Sequence, residues 1–421
     1  MTVTVQGENI GGKIRVPESK SHAHRLLICA ALSGKKTEIL CKNSSSDIDA
    51  TCRCLKGLGV ISERTENGFI LNGGGEREKI LPCGESGSTY RFILPIACAL
   101  GHECGFFLEG KLPVRPMEPL MENLEAHGIK IAGKGEETVH ISGKLTGGKF
   151  KIPGDVSSQF ISGLIFALPI LNEDSEIEIT GTLQSESYVK MTLDAVRQFG
   201  IEVTKNENGF FIKGGQKYTS PEKVTVEGDW SNAAFWLCAG AIGENPVTCS
   251  NLNVNSTQGD KKVLEILSSF GADVREQDGD ITVSKGELKG IVIDAMDIPD
   301  LVPILSVVAS VAKGETRVIN AQRLRLKESD RIFTVCETIR NLGGNIEETK
   351  DGLIIQGGKL KGGAISSFND HRIAMSGAIA SIVTEGAVKI EGSQAVNKSY
   401  PEFWNDFMKL GGNITKEESE K

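Results

Sequence analysis

Positively charged side chains recur at the predicted helix beginnings of this 421-residue chain. The free N–H groups and the dipole make a helix beginning positive, so a cation is unfavourable there unless an anion joins it. A solvated surface would explain any one of these cations. Their repetition favours helix beginnings that converge on a cleft, where they bind a ligand with several negative charges. The cations are Lys20, Arg25, Arg91, Arg115, Lys327, Arg331 and Arg372.

Hydroxyl and amide side chains lie at the same predicted helix beginnings. An N-cap explains a single Ser or Thr in such a place. Two serines followed by a glutamine, Ser157-Ser158-Gln159, exceed what a cap requires, and phosphate is a natural ligand for them. The whole set is Ser21, Ser88, Thr89, Ser157, Ser158, Gln159 and Ser185.

Three groups have the chemistry to transfer protons. Asp300 follows a proline at a predicted helix beginning, where helix capping is the alternative role. Glu328 lies in residues 325–331, where five charges in seven residues favour a lined cleft over a solvated helix end. His371 lies between an aspartate and an arginine and is placed to titrate near neutral pH.

Composition and missing motifs exclude several classes of protein. The net charge of −8 argues against nucleic acid as a partner, and no apolar run approaches the ~18 residues of a membrane span. There is no P-loop, no GxSxG motif and no metal-binding spacing, and the ten cysteines include no CxxC pair. So many thiols without a signal peptide predict a reducing cytoplasm.

A helix–strand–turn–strand pattern positions these residues and occurs six times. Residues 188–215 show it, with an apolar helix face that ends at Gly200 and alternating segments at 201–203 and 210–212. In every repeat a glycine follows the predicted helix, and apolar residues stand seven and four positions before it. These glycines, 68 to 72 residues apart, are Gly59, Gly128, Gly200, Gly271, Gly343 and Gly411.

Each repeat also contains an earlier helix that is apolar almost all round. We expect the earlier helices to be buried and the later, amphipathic ones to lie outside. β-Branched runs at 177–179, 224–226, 291–293 and 388–390 predict strands between them. Each repeat is therefore βαβαββ, and the class is α/β. Six equal repeats indicate two domains of three, with a crossover near Val226.

The motifs taken together resemble those of the 5-enolpyruvylshikimate-3-phosphate synthase family, a family of enolpyruvyl transferases. Order and spacing agree along essentially the whole chain, and the Arg-Leu-Lys-Glu-Ser-Asp-Arg stretch at 325–331 is the most specific motif. The others are Lys20-Ser21 with Arg25, residues 86–91, Arg115-Pro116, residues 157–159, residues 370–372 and Lys398.

This resemblance implies a two-domain inside-out α/β barrel of six βαβαββ repeats. Residues 19–226 would form one three-repeat domain, which binds mainly shikimate 3-phosphate. Residues 1–18 plus 227–421 would form the other, with the active site in the cleft between them. The resemblance also implies a cytoplasmic monomer without metal or organic cofactor.

The implied reaction transfers the enolpyruvyl (1-carboxyvinyl) group of phosphoenolpyruvate to the 5-hydroxyl of 3-phosphoshikimate and releases phosphate. It belongs to the shikimate pathway of aromatic amino acid biosynthesis. Asp300 would remove the proton from the attacking hydroxyl, and Glu328 would protonate the methylene carbon. Lys20 or His371 would assist Glu328.

The resemblance further implies the side chains that bind each substrate. The 3-phosphate would contact Ser157, Ser158 and Ser185. The shikimate carboxylate would contact Ser21 and Arg25. The phosphoenolpyruvate site would comprise the Gly87 backbone, Arg115, Arg331, Arg372 and Lys398. Gln159 would lie between the substrates, Lys20 would contact both, and Lys327 would lie on the hydroxyl side of shikimate.

Two positions depart from the family pattern. Glu85 stands where the family usually has Asn or another small residue, beside Gly87. A carboxylate there must point away from a bound phosphate or pair with a cation. Arg323 occupies a position that contacts shikimate in some members but varies in type.

Two other functions compete with this prediction. The sister family that acts on UDP-N-acetylglucosamine typically has a reactive Cys five residues before the Arg-Pro, where this chain has Gly110. It also has Lys-Asn in place of Lys20-Ser21. The second competitor is a non-catalytic protein that binds polyanions. Asp300 and Glu328 argue against it, because a binder of anions gains nothing from carboxylates in its cleft.

Overall fold

The structure, a computed structural model, describes residues 1–417, which form six four-stranded sheets and twelve α-helices. The strands are β1 (Thr2–Gln6), β2 (Gly12–Arg15), β3 (Thr37–Leu40), β4 (Leu58–Thr65), β5 (Gly68–Arg77), β6 (Ile80–Gly84), β7 (Cys104–Leu108), β8 (Ile129–Ala132), β9 (Thr138–Gly143), β10 (Gly148–Pro153), β11 (Ser175–Thr180), β12 (Thr204–Asn206), β13 (Gly209–Ile212), β14 (Lys223–Thr225), β15 (Val247–Ser250), β16 (Asp273–Gln277), β17 (Asp280–Ser284), β18 (Val292–Asp294), β19 (Glu315–Ile319), β20 (Asn345–Glu348), β21 (Leu353–Gln356), β22 (Gly363–Ser366), β23 (Val388–Glu391) and β24 (Asn413–Glu417).

The helices alternate between a buried member and an outer member. The buried ones are α1 (Lys20–Ser33), α3 (Gly87–Ala99), α5 (Ser158–Ala167), α7 (Trp230–Ile242), α9 (Val302–Ala309) and α11 (His371–Ala380). The outer ones are α2 (Ser46–Gly57), α4 (Glu118–Ala126), α6 (Glu186–Gln198), α8 (Val263–Phe270), α10 (Arg331–Asn341) and α12 (Phe403–Lys409). The apolar earlier helices are thus the buried ones, as their sequence predicted.

All six sheets have one topology, which confirms the βαβαββ repeat. In the sheet β10-β11-β13-β12, the first two strands run parallel and the other two pairings are antiparallel. The other sheets follow the same scheme: β6-β7-β9-β8, β14-β3-β5-β4, β2-β15-β17-β16, β18-β19-β21-β20 and β22-β23-β1-β24.

The chain divides into two compact units. The first unit comprises residues 1–19 together with the chain from Glu227 onward, and the second unit comprises residues 20–226. Three sheets are completed by strands that lie far away in sequence. In the second unit, for example, β14 pairs in parallel with β3, with Val224 opposite Ile39. Neither unit could therefore close its sheets from one local segment.

The six glycines that end the predicted outer helices all have left-handed backbones, with φ between 79° and 106°. A residue with a Cβ avoids this region, which is why glycine recurs there. Around Gly200 the predicted strand at 201–203 is wrong. The N–H of Ile201 bonds to the carbonyl oxygen of Val196 and closes the end of α6, so β12 begins only at Thr204.

No helix within residues 1–417 is long and apolar enough to span a membrane.

The close approach of α3 and α5 gives a stability prediction. A Cβ added at Gly163 in α5 would lie 2.3 Å from the carbonyl oxygen of Arg91 in α3. Gly163→Ala should therefore force the two helices apart and cost about 1–3 kcal/mol, measured as the free energy of unfolding in urea. Gly358→Ala is the control, because its Cβ would meet open space. Equal stability of the two variants would contradict this packing.

Candidate active site

Arg331 lies at the centre of a buried ionic cluster in the first unit. It is the first residue of α10, and its side chain is 1% exposed. Its Nη1 lies 2.6 Å from Asp300 Oδ1, and its Nη2 lies 2.8 Å from Glu328 Oε2. Its Nε lies 2.8 Å from Asp370 Oδ2. We name these four residues, together with Lys327 and Arg372, the Arg331 cluster.

The carboxylates fix the charge of this guanidinium. Burial disfavours the charged form of Arg331. The charges of Asp370, Glu328 and Asp300 overcome that effect and raise the pKa of Arg331 well above its usual value. Arg331 is therefore a permanent cation that lies away from water.

Asp300 does not cap a helix, which resolves one alternative left by the sequence. It lies in the turn before α9, and the N-terminus of that helix has no side-chain cap. Its carboxylate instead accepts hydrogen bonds from Arg331 at 2.6 Å and Lys327 at 3.4 Å, and Arg372 Nη2 lies 3.3 Å away. Three cations thus surround one carboxylate that is 15% exposed.

The pKa of Lys327 is lower than that of an ordinary lysine. Burial is the main cause that lowers its pKa, and the neighbouring Arg331 and Arg323 lower it further. The charges of Asp300 and Glu328 oppose this shift only in part. Arg323, which departs from the family pattern, therefore acts on the cluster at least through this electrostatic effect.

The beginning of α11 joins the same cluster. Asp370 caps α11 by accepting the N–H of Arg372, while its carboxylate binds Arg331. His371 is buried, with its Nδ1 3.9 Å from Asp370 Oδ1. Lys398 donates from Nζ to the carbonyl oxygen of Asn369 at 2.8 Å.

In the second unit the beginnings of α3 and α5 are held together by polar side chains. Arg91 donates to Gln159 Oε1 at 2.8 Å, and Gln159 Nε2 donates to Ser88 Oγ at 2.8 Å. Arg115 lies against Gly87 so closely that a Cβ there would be 2.8 Å from Arg115 Nη1. The guanidinium of Arg115 can therefore approach the backbone of Gly87 this closely only because glycine has no side chain.

The beginning of α1 contributes two cations with different partners. Lys20 pairs with Asp47 at 2.8 Å. Arg25 is buried and donates to Thr192 Oγ1 and to the carbonyl oxygens of Ser21 and Tyr188. Burial is the main cause that lowers the pKa of Arg25 to about 10. Since a guanidinium has five N–H donors, two of them remain for a ligand.

The serines at the helix beginnings of the second unit have different roles. Ser157 caps α5 by accepting the N–H of Gln159, and Ser158 is the first residue of that helix. Ser185 is buried and precedes α6 without making a capping hydrogen bond, at a left-handed φ of 57°. Such a backbone is strained for a residue with a side chain and is typical of functional positions.

Sequence reasoning missed Asp260 and Asp47. Asp260 is 2% exposed and accepts a hydrogen bond from Ser231. Burial is the main cause that raises its pKa to about 7, and repulsion from Asp300 adds to it. Asp260 was overlooked because two lysines follow it, a pattern typical of a solvated turn.

The atypical Glu85 has a structural explanation. Its carboxyl carbon lies 2.7 Å from the place where a Cβ at Gly110 would be. Gly110 also has a φ of 58°. A cysteine at this position would therefore clash with Glu85 and strain the backbone.

Metal binding and a separate cavity are the other candidates for a functional site. Within residues 1–417 no group of three or more His, Cys, Asp or Glu is placed to hold a metal ion. A cavity of about 820 Å³ opens beyond the C-terminal ends of α1 and α5, between Leu32 and Glu222. Its Gln216 and Ser220 hydrogen-bond to neighbouring backbone.

The chain is similar to known proteins along nearly its whole length. Residues 5–407 match the family model described as EPSP synthase (3-phosphoshikimate 1-carboxyvinyltransferase). A 3-phosphoshikimate 1-carboxyvinyltransferase of Clostridium perfringens is 44% identical over 97% of this chain and 98% of its own length. The structure of EPSP synthase from Acinetobacter baumannii matches with a TM-score of 0.82 and 27% identity, over 99% of this chain and all of that one.

A more distant structure has the same fold. The enolpyruvyl transferase NikO from Streptomyces tendae is 16% identical and has a TM-score of 0.81 over 98% of both chains. The fold is thus that of EPSP synthases, and NikO shares it. The family model and the relative from Clostridium perfringens show more: the chain belongs to the EPSP synthase (3-phosphoshikimate 1-carboxyvinyltransferase) family.

The Arg331 cluster predicts that two arginines in residues 325–331 contribute very differently to the stability of the protein. Arg331→Met should destabilise the protein by about 3–5 kcal/mol, because it leaves buried carboxylates without their counter-charge. Arg325→Met is the matched control. Arg325 is 32% exposed and pairs with Asp330 and Glu348, so its loss should cost about 0–1 kcal/mol. Urea denaturation measures both, and similar losses would contradict the asymmetry.

Proposed function

We propose that this protein transfers the enolpyruvyl group of phosphoenolpyruvate to the 5-hydroxyl of 3-phosphoshikimate and releases phosphate. It would thereby act in the shikimate pathway of aromatic amino acid biosynthesis. The family supports the reaction, and the chemistry of the two units supports the residue roles that follow. The proposal includes a cytoplasmic monomer without a cofactor. The ten cysteines within residues 1–417 form no disulfide, which is consistent with that compartment.

The second unit supplies groups suited to 3-phosphoshikimate. Ser157, Ser158 and the strained Ser185 bind the 3-phosphate through hydroxyl groups and helix N–H groups. The two remaining donors of Arg25, together with Ser21, bind the carboxylate. Gln159, oriented by Arg91 and Ser88, lies between the two substrates, and Lys20 contacts both.

Phosphoenolpyruvate requires more positive charge than these hydroxyl groups provide. Cations from both units bind its phosphate and carboxylate in this proposal, with help from a bare backbone N–H. They are Arg115, Arg331, Arg372 and Lys398, with the backbone of Gly87. A guanidinium binds such oxygens with two parallel hydrogen bonds, which suits Arg better than Lys at these positions.

The proton transfers fall to the carboxylates of the Arg331 cluster. The 5-hydroxyl oxygen attacks C2 of phosphoenolpyruvate while Asp300 takes the hydroxyl proton and Glu328 protonates C3, giving a tetrahedral ketal. Phosphate then leaves C2 and takes up the proton held by Asp300, and the methyl group returns a proton to Glu328 as the double bond reforms. Lys20 or His371 assists Glu328. Lys327 stabilises negative charge on the attacking oxygen.

One observation carries this assignment: Asp300 is surrounded by Arg331, Arg372 and Lys327 and does not cap α9. Three cations favour the carboxylate form, which is the form a base requires. A protein that only binds anions would lose affinity by placing a carboxylate among its cations. The arrangement therefore favours catalysis over simple binding.

Phosphate release tests the reaction. The purified protein should release phosphate when both phosphoenolpyruvate and 3-phosphoshikimate are present, and none when either one is omitted. UDP-N-acetylglucosamine in place of 3-phosphoshikimate should give no release, because this chain has Gly110 where the sister family typically has its reactive cysteine. Release with the nucleotide sugar would favour the sister reaction instead.

The role of Asp300 as the base predicts that its replacement lowers kcat but leaves the binding of 3-phosphoshikimate nearly unchanged. Asp300→Asn should lower kcat by about 10²–10⁴-fold, because the amide cannot accept the proton. The dissociation constant of 3-phosphoshikimate, measured by calorimetry, should change by only a few-fold. Asp297→Asn is the control, since Asp297 lies in the same turn but pairs with Lys262. An unchanged kcat in Asp300→Asn would rule out its role as the base.

A further inference from the structure

Asp260 lies beside the beginning of α7 and interacts electrostatically with Asp300, before α9, and with Arg372, in α11. It belongs to the short 3-10 turn Gly259–Lys262 before α8, and this turn packs against the beginning of α7. Ser231, in the first turn of α7, donates a hydrogen bond to its Oδ2. Gln258 accepts a hydrogen bond from the N–H of Trp230 and so connects the turn to α7.

The carboxyl group of Asp260 is poorly solvated. Its side chain is 2% exposed, and its Oδ1 is buried without a hydrogen-bond partner within residues 1–417. A buried carboxylate with a single donor is costly, so the neutral acid is favoured. Burial is accordingly the main cause that raises its pKa to about 7.

Charged groups from each neighbouring helix beginning act on Asp260. Asp300, before α9, and Asp229, the cap of α7, favour its neutral form by repulsion. Arg372, in α11, favours its ionised form, as does the hydrogen bond from Ser231. Because such interactions are mutual, the charge of Asp260 also acts on Arg372.

The two lysines of its own turn are engaged elsewhere. Lys261 donates to the carbonyl oxygen of Val254 at 2.7 Å, and Lys262 pairs with Asp297. Neither is among the main causes of the shifted pKa of Asp260. Its charge is therefore offset chiefly by Arg372, which the proposed function assigns to phosphoenolpyruvate.

We propose that Asp260 is a positioning residue whose charge, when its proton is lost, acts through Arg372 and weakens the binding of phosphoenolpyruvate. This inference rests on the proposed function. While Asp260 is neutral, it does not offset the charge of Arg372, which already pairs with Asp300 at 3.3 Å. Once Asp260 is ionised, a carboxylate competes with the substrate for that charge.

The test compares Asp260→Asn with the wild type. Between about pH 6 and about pH 8, the KM for phosphoenolpyruvate should rise roughly threefold to tenfold more in the wild type than in the variant. The ratio of the two KM values removes the ionisation of the substrate itself. kcat should stay within about twofold, because Asp260 touches no reacting atom. Asp273→Asn, an exposed carboxylate paired with Arg275, should behave like the wild type.

Ser231→Ala gives a second, directional test. The hydrogen bond from Ser231 favours the ionised form of Asp260, so its loss should move the rise in KM to higher pH. A purely structural role would change KM or stability equally at every pH. A KM ratio that is constant with pH, or a rise that does not move in Ser231→Ala, would overturn the proposal.

Thermal unfolding without substrate reports the ionisation independently. The pKa of Asp260 is about 7 in the folded protein and ~3.9 when unfolded. Its stabilising effect is therefore present below about pH 4 and is lost as the pH rises to about 7. Asparagine has no such proton, so the Tm of Asp260→Asn should rise relative to the wild type over this range and level off above it.

These readouts separate two kinds of failure. A wild type that releases no phosphate at any pH would contradict the proposed function, whatever the Tm values show. Normal phosphate release with a flat KM ratio would overturn the role of Asp260 alone. A Tm difference that does not vary with pH would show that Asp260 does not ionise in this range, and that too would overturn it.

Discussion

The stability of the first unit depends on carboxylates that compensate the charge of one buried cation. Arg331 is almost fully removed from water and is stabilised by Asp300, Glu328 and Asp370. Because each carboxylate lies at or just before a helix beginning, one guanidinium fixes the start of α9, α10 and α11 relative to one another. A buried ion pair that loses one partner leaves an uncompensated charge, so these positions are strongly coupled. The same bonds that stabilise the fold therefore orient the groups assigned to catalysis.

The cations at helix beginnings looked alike in the sequence, but the structure compensates them in different ways. Lys20 is paired with Asp47, while Arg91 is held by the neutral oxygens of Gln159 and Pro116. Arg331 is surrounded by three carboxylates, those of Asp300, Glu328 and Asp370. Neutral partners leave an arginine its full charge for an anion, whereas carboxylates offset it and supply sites for protons. In the proposed function, Arg91 orients Gln159, while Arg331 binds phosphoenolpyruvate and its neighbouring carboxylates transfer the protons.

Much of the architecture followed from local patterns. Six glycines at equal spacing marked six helix ends, and each adopts the left-handed backbone that only glycine adopts readily. The apolar helices were correctly expected to be buried. The failure at Ile201 is instructive, because alternation of apolar residues cannot show that an N–H already closes a helix end. Arg331 lies in a family motif, and Asp300 was singled out because it follows a proline at a predicted helix beginning. Asp260 belongs to no apolar face and no motif, and it was missed.

The sequence by itself determined the repeat, the buried helices, the residues that carry charge and the family. Only the tertiary structure decided which side chain each carboxylate lies against. Asp300 contacts Arg331 rather than its own helix, Glu85 lies beside Gly110, and Asp260 contacts the beginning of α7. It also decided that β14 completes the sheet of β3. The physical reason is that periodicity reports the faces of one local element. Burial and charge pairing depend on residues that are distant in the chain and adjacent only after folding.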